Sequence, residues 1–120
     1  MGHRDQWQGL GLDYEAWLAP RRALRLAGEI LTEQERQALQ GLGEAEQARR
    51  ITLTFSVKES LFKALYPLTG RRFYFQDAAL DGEDRIRLLT TLSADWRQGM
   101  ALPYQWRDDD GVLSWIRVPA

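Results

Sequence analysis

The chain has 120 residues, with 16 Lys and Arg against 17 Asp and Glu, five Trp and no Cys. That length makes one domain, residues 1–120, with enough apolar and aromatic material to bury a core of its own. The balanced charge gives no field that would draw the molecule to nucleic acid or an anionic membrane, and the missing thiols exclude disulfides, thiolate metal sites and cysteine nucleophiles.

The opening MGHRDQWQGLGLDYE lacks the apolar core of a secretion signal, and no apolar run approaches the roughly 18 residues of a membrane helix. A cytoplasmic protein without a membrane span is expected. His3, the one histidine, is read as a frayed terminal residue. Gln6 to Glu15 predicts a strand, with Leu10, Leu12 and Tyr14 on one face and Gly11, Asp13 and Glu15 on the other. Pro20 suits the first turn of a short helix over 21–27, which Gly28 ends; its arginines, Arg21, Arg22 and Arg25, read as a solvated face. Thr32 and Glu35 form a capping box, opening a helix that reaches about Gln40 and stops at Gly41 and Gly43. A longer helix runs from Glu44 to Tyr66, ended by Pro67 and Gly70. Its stretch Ile51 to Phe55 has strand propensity, but no turn residue interrupts 44–66.

After Arg71-Arg72, a strand is expected from Phe73 to Leu80, then a turn at Asp81-Gly82 and a strand from Arg85 to Leu92. Tyr104–Trp106 and Val112–Val118 flank Asp108-Asp109-Asp110-Gly111, a hairpin signal. Those aspartates lack the spacing of a calcium loop and read as a solvated turn. The fold class is α+β: a small antiparallel sheet packed against one long helix.

On a wheel of the long helix, Val57, Leu61, Ala64, Leu65 and Leu68 make an apolar stripe, with Leu53 one turn back. Thr52, Ser56, Glu59, Ser60 and Lys63 make a polar one, and its small hydroxyl residues leave room for something to approach. Glu59 and Lys63, four apart, have the spacing of an ordinary surface pair worth roughly 0.2–0.5 kcal/mol. Asp13 and Glu15 lie on one face of the first strand, where two carboxylates repel unless something positive lies between them. An arginine is one candidate. A divalent cation is the other, and oxygen ligands without Cys or paired His favour Mg²⁺ or Mn²⁺.

Gly11-Leu12-Asp13-Tyr14-Glu15 and FSVKESLFK (Phe55 to Lys63) resemble the paired signatures of the 4′-phosphopantetheinyl transferases, G-[IV]-D-x-E and [WF]-[SC]-x-K-E-[SA]-x-x-K. ALYPLTGRRFYFQDAAL and YQWRDDDGVLSWIRV are most similar to the enterobactin synthase component D type. The resemblance implies transfer of the phosphopantetheine arm of coenzyme A to a serine of an acyl or peptidyl carrier protein, in siderophore or related assembly. It implies Mg²⁺ held by Asp13, Glu15 and Glu59, with Glu59 as base. Lys63 would bind the pyrophosphate and protonate the leaving phosphate, and Lys58 would support the phosphates or the 3′,5′-ADP side. Component D enzymes consist of two similar halves, with a Ser-x-x-His-type segment upstream of the metal strand. This chain corresponds to the C-terminal half, so activity is expected with an N-terminal half or as a homo-oligomer. The alternative expectation is a non-catalytic remnant or a carrier-protein-interaction module.

Overall fold

The computed structural model describes residues 7–120; His3 and Gln6 lie outside the described residues. The elements run β1 (Trp7–Glu15), α1 (Pro20–Ile30), α2 (Glu33–Gln37), α3 (Glu44–Thr69), a 3₁₀ turn (Phe75–Asp77), β2 (Ala78–Asp81), β3 (Arg85–Leu88), β4 (Ala101–Pro103), β5 (Gln105–Asp108) and β6 (Val112–Pro119). They form two three-stranded antiparallel sheets, in the orders β1-β6-β5 and β2-β3-β4, packed against α3. The α+β class holds, with two sheets where one was expected.

The long helix forms as the pattern predicts and extends further. It continues through Pro67, whose missing N–H leaves the Lys63 carbonyl without its usual donor. Gly70 then ends it in the left-handed conformation, its N–H on the Tyr66 carbonyl. The ambiguous run Ile51–Phe55 is helical, because tertiary packing on both sides overrides β propensity: Ile51 lies under α1 and Thr52 is buried. Helix α1 passes through Gly28 to Ile30, and α2 is shorter than expected. The capping box is present, with Glu35 N donating to Thr32 Oγ1 at 3.2 Å and Thr32 N to Glu35 Oε1 at 2.9 Å.

Phe73 and Tyr74 are not in a strand. The chain turns at Phe75–Asp77 before β2, and the strand at Arg85 ends at Leu88. Val57, Leu61, Ala64 and Leu65 meet Ile86, Leu88, Ile116 and Val118 in the main core, while Ala23, Ala27 and Ile30 pack on Ala48 and Ile51 in a second cluster.

The placement of β1 decides the site. Its outward face carries Leu10, Leu12 and Tyr14, all exposed, and the face against α3 carries Gly9, Gly11 and Asp13. A Cβ on Gly11 would stand 1.8 Å from the Ser60 carbonyl oxygen. Only a strand without side chains there can lie this close to a helix. The polar stripe of α3 is therefore not open to an incoming ligand along its length. Thr52, Ser56 and Ser60 are completely buried, Ser56 and Ser60 against the strands and Thr52 under Leu18 of the connection that follows β1. Ser114 of β6 lies opposite Asp13 and shares hydrogen bonds with Ser56 Oγ at 2.8 Å and Ser60 Oγ at 2.7 Å. What approaches the small hydroxyl residues is the sheet itself.

Candidate active site

Close packing of β1 on α3 brings Asp13 beside Lys63. Asp13 is 5% exposed, and its Oδ1 accepts from Lys63 Nζ at 2.8 Å. Its buried Oδ2 has no partner among the described residues. Lys63 thus pairs with the strand, and no ion pair between Glu59 and Lys63 is present among the described residues. The hydrogen bond to Asp13 raises the Lys63 pKa, with Glu59 and Glu15 acting in the same sense. This lysine stays charged.

Three acids share that one ammonium. Burial pushes Glu15 up to about 7, and the neighbouring carboxyl of Asp13 and the negative charge of Glu59 push it the same way. Two ionised carboxylates can only accept, so a bond between Asp13 and Glu15 needs a proton or cation. The pKa of Glu59 is also raised, first by burial and then by Asp13, with Lys63 opposing. The pocket therefore has an electrostatic demand for further positive charge. Its donors are all oxygen, and an orphaned buried carboxylate oxygen is among them, which fits a hard divalent cation. Among the described residues no three acidic side chains are yet drawn into a ready ligand cluster; the Lys63 ammonium supplies the local charge.

Glu59 and Lys63 open onto a groove of about 790 Å³, a volume in the range of small-molecule sites. Its aromatic lining includes Phe62, Tyr66, Phe73 and Phe75, with ring centroids of Phe62 and Phe73 4.4 Å apart. Arg71, Arg72 and Tyr74 stand exposed on the groove. Neither arginine has an ion-pair partner among the described residues. An aromatic cleft with two unpaired guanidiniums beside a lysine and a carboxylate fits a planar, polyanionic ligand. Sequence reasoning missed Arg71, Arg72 and Tyr74. Their signal was a basic pair running into Phe-Tyr-Phe straight after a helix-ending glycine, which reads equally well as the start of a strand.

Lys58 corrects an expectation. It is 1% exposed, and its ammonium donates to the Ile30 carbonyl, Glu35 Oε1 and the Phe75 carbonyl, each at 2.8 Å. All three protons are taken, so none remains for a phosphate. Burial lowers its pKa, and the Glu35 charge opposes that shift.

The family model for the 4′-phosphopantetheinyl transferase superfamily matches residues 9–112, a span holding Asp13, Glu15, Glu59 and Lys63. The chain belongs to that superfamily. Among solved structures, this transferase-family chain is similar to a holo-(acyl-carrier-protein) synthase from Bacillus anthracis crystallised in complex with CoA (3′,5′-ADP). The two are 17% identical with a TM-score of 0.68, and the match covers 96% of this chain and 98% of that one. At this identity the likeness speaks for the fold. No curated protein matches the chain.

Proposed function

We propose that the protein transfers the 4′-phosphopantetheine arm of coenzyme A to a serine of an acyl or peptidyl carrier protein, releasing 3′,5′-ADP. The observation that carries this reading is the meeting of Asp13, Glu59 and Lys63 at the edge of an aromatic, arginine-bearing groove, in a chain of the transferase superfamily. Arg71 and Arg72 bind phosphates of the nucleotide, and Tyr74 with the phenylalanines packs its base and ribose. Lys63 leaves Asp13 for the pyrophosphate, where its ammonium holds the oxygens in line for attack. Glu59 accepts the serine proton, directly or through one water, and its raised pKa makes it a better base near neutral pH. The serine oxygen then bonds to the phosphorus that carries the pantetheine arm as the bond to the bridging oxygen breaks. Lys63 delivers a proton to the departing phosphate of 3′,5′-ADP. Asp13, Glu15 and Glu59 are the residues that would hold Mg²⁺, which when bound offsets negative charge on the pyrophosphate.

The likeness to component D enzymes supports peptidyl carriers of siderophore assembly as acceptors, and a cytoplasmic setting. Leu10, Leu12 and Tyr14, at 60%, 54% and 47% exposure, give the first sheet an apolar outer face. That face supports action together with an N-terminal half or as an oligomer.

The test is incubation of the chain with Mg²⁺, coenzyme A and an apo carrier protein, followed by mass spectrometry of the carrier. The expected result is the phosphopantetheine mass increment, lost in Glu59→Gln while the melting temperature is kept. No increment, even with an N-terminal half added, would leave a non-catalytic carrier-interaction module. Unfolding by Glu59→Gln would return Glu59 to a structural role.

A further inference from the structure

Lys58 neighbours Glu59 in sequence yet has no access to the groove, and its three bonds reach two segments that wall it. The Ile30 carbonyl it holds closes α1, whose Gly28 and Glu29 line one side. The Phe75 carbonyl belongs to the 3₁₀ turn, whose Phe75 and Gln76 line the adjoining part of the wall. Glu35 completes the anchor, accepting from Lys58 and Thr32 N on one oxygen and from Leu80 N on the other. A second tie spans the same walls: Gln76 Nε2 donates to the Leu31 carbonyl at 2.6 Å, with the Glu29 and Gly28 carbonyls at 3.3 and 3.4 Å. Those carbonyls close a helix, where no intrahelical donor remains, so a side-chain donor satisfies them.

We propose that Lys58 is a positioning residue: together with Gln76 it fastens the end of α1 to the 75–77 turn and so sets the width of the groove that receives the nucleotide end of coenzyme A. This rests on the assignment of the groove to coenzyme A. A buried ammonium on three acceptors suits the task, because removing it takes the donor from two carbonyls and the countercharge from the Glu35 carboxylate, and lets the walls part.

The experiment compares Lys58→Met and Gln76→Leu with Leu102→Ala, a core change in β4 away from the groove, all well below their melting temperatures. In Lys58→Met, amides of residues 28–31 and 74–78 should exchange hydrogen about tenfold faster than in Leu102→Ala, whose loosening is not confined there. Affinity for 3′,5′-ADP by calorimetry, and KM for coenzyme A, should weaken about tenfold while kcat changes less than about threefold. Gln76→Leu should shift the same quantities in the same direction, and it decides the matter should Lys58→Met not fold. Exchange confined no more to these walls than in Leu102→Ala, or an unchanged affinity, would overturn the proposal. So would a large fall in kcat at constant KM, which marks a direct part in the chemistry. If the wild type does not bind 3′,5′-ADP, the assignment of the groove fails, and the exchange comparison still judges the tie.

Discussion

Gly11→Ala is the sharpest perturbation of the site that touches none of its charged groups. The added methyl would lie 1.8 Å from the Ser60 carbonyl oxygen and 2.8 Å from the Ala64 nitrogen. Both are backbone atoms of a helix, so neither can swing aside. Even the tightest real contact, near 3.0 Å, requires β1 and α3 to separate by about 1 Å. Overpacking of this kind costs about 3 kcal/mol. For a domain of this size that lowers the melting temperature by about 10 °C. The separation also stretches the 2.8 Å bond between Asp13 and Lys63, so transfer activity should fall with stability. Gly28→Ala is the matched control: it lies in α1, and its methyl would meet nothing within 4 Å. It should stabilise by about 0.5–1 kcal/mol through helix propensity. Thermal and urea unfolding of the pair supply the measurement. A Gly11→Ala protein melting within about 3 °C of wild type would refute the close-packing argument.

Glu15 sets a pH dependence. Its folded pKa of about 7 lies above the 4.5 usual for a glutamate, so the folded state holds the proton more tightly and stability falls as pH rises through that window. After allowance for solvent screening of a partly exposed group, the loss is on the order of 1 kcal/mol. Melting in chelator should thus drop by a few degrees from pH 5 to pH 8, and Glu15→Gln should flatten the slope; a melting temperature rising over that range contradicts the assignment. Ser114→Ala removes the hub between Ser56 and Ser60 and should cost about 1–3 kcal/mol in urea unfolding, since two buried hydroxyls lose a partner. A neutral result there means the two serines re-pair with their own helix.

The sequence and the structure agree where a local pattern has one physical solution. The capping box at Thr32 and Glu35 is such a case, because its two bonds close within four residues. The apolar stripe from Val57 to Leu65 is another. The convergence of Asp13 with Lys63 was implied by the family motifs, but their mutual bond was not, since it depends on how near a strand comes to a helix. Period-two alternation separates Leu10, Leu12 and Tyr14 from Gly11 and Asp13 without saying which face turns inward, and here the glycines do. The burial of Lys58 was not legible, because its acceptors at Ile30, Glu35 and Phe75 come from three separate elements and nothing adjacent to it announces them. Strand β4 has three residues, too few for any period to register.

One consequence follows from the pairing of β1 with β6. The strand bearing Asp13 is made before β6, the strand that seats it, with Asp13 opposite Ser114. On the ribosome, the aspartate emerges well before the segment that completes its surroundings, so the acid cluster forms only after β6 has followed it. Proteolytic clipping within residues 112–119 should dismantle the acid cluster by releasing β1, while leaving the long helix uncut.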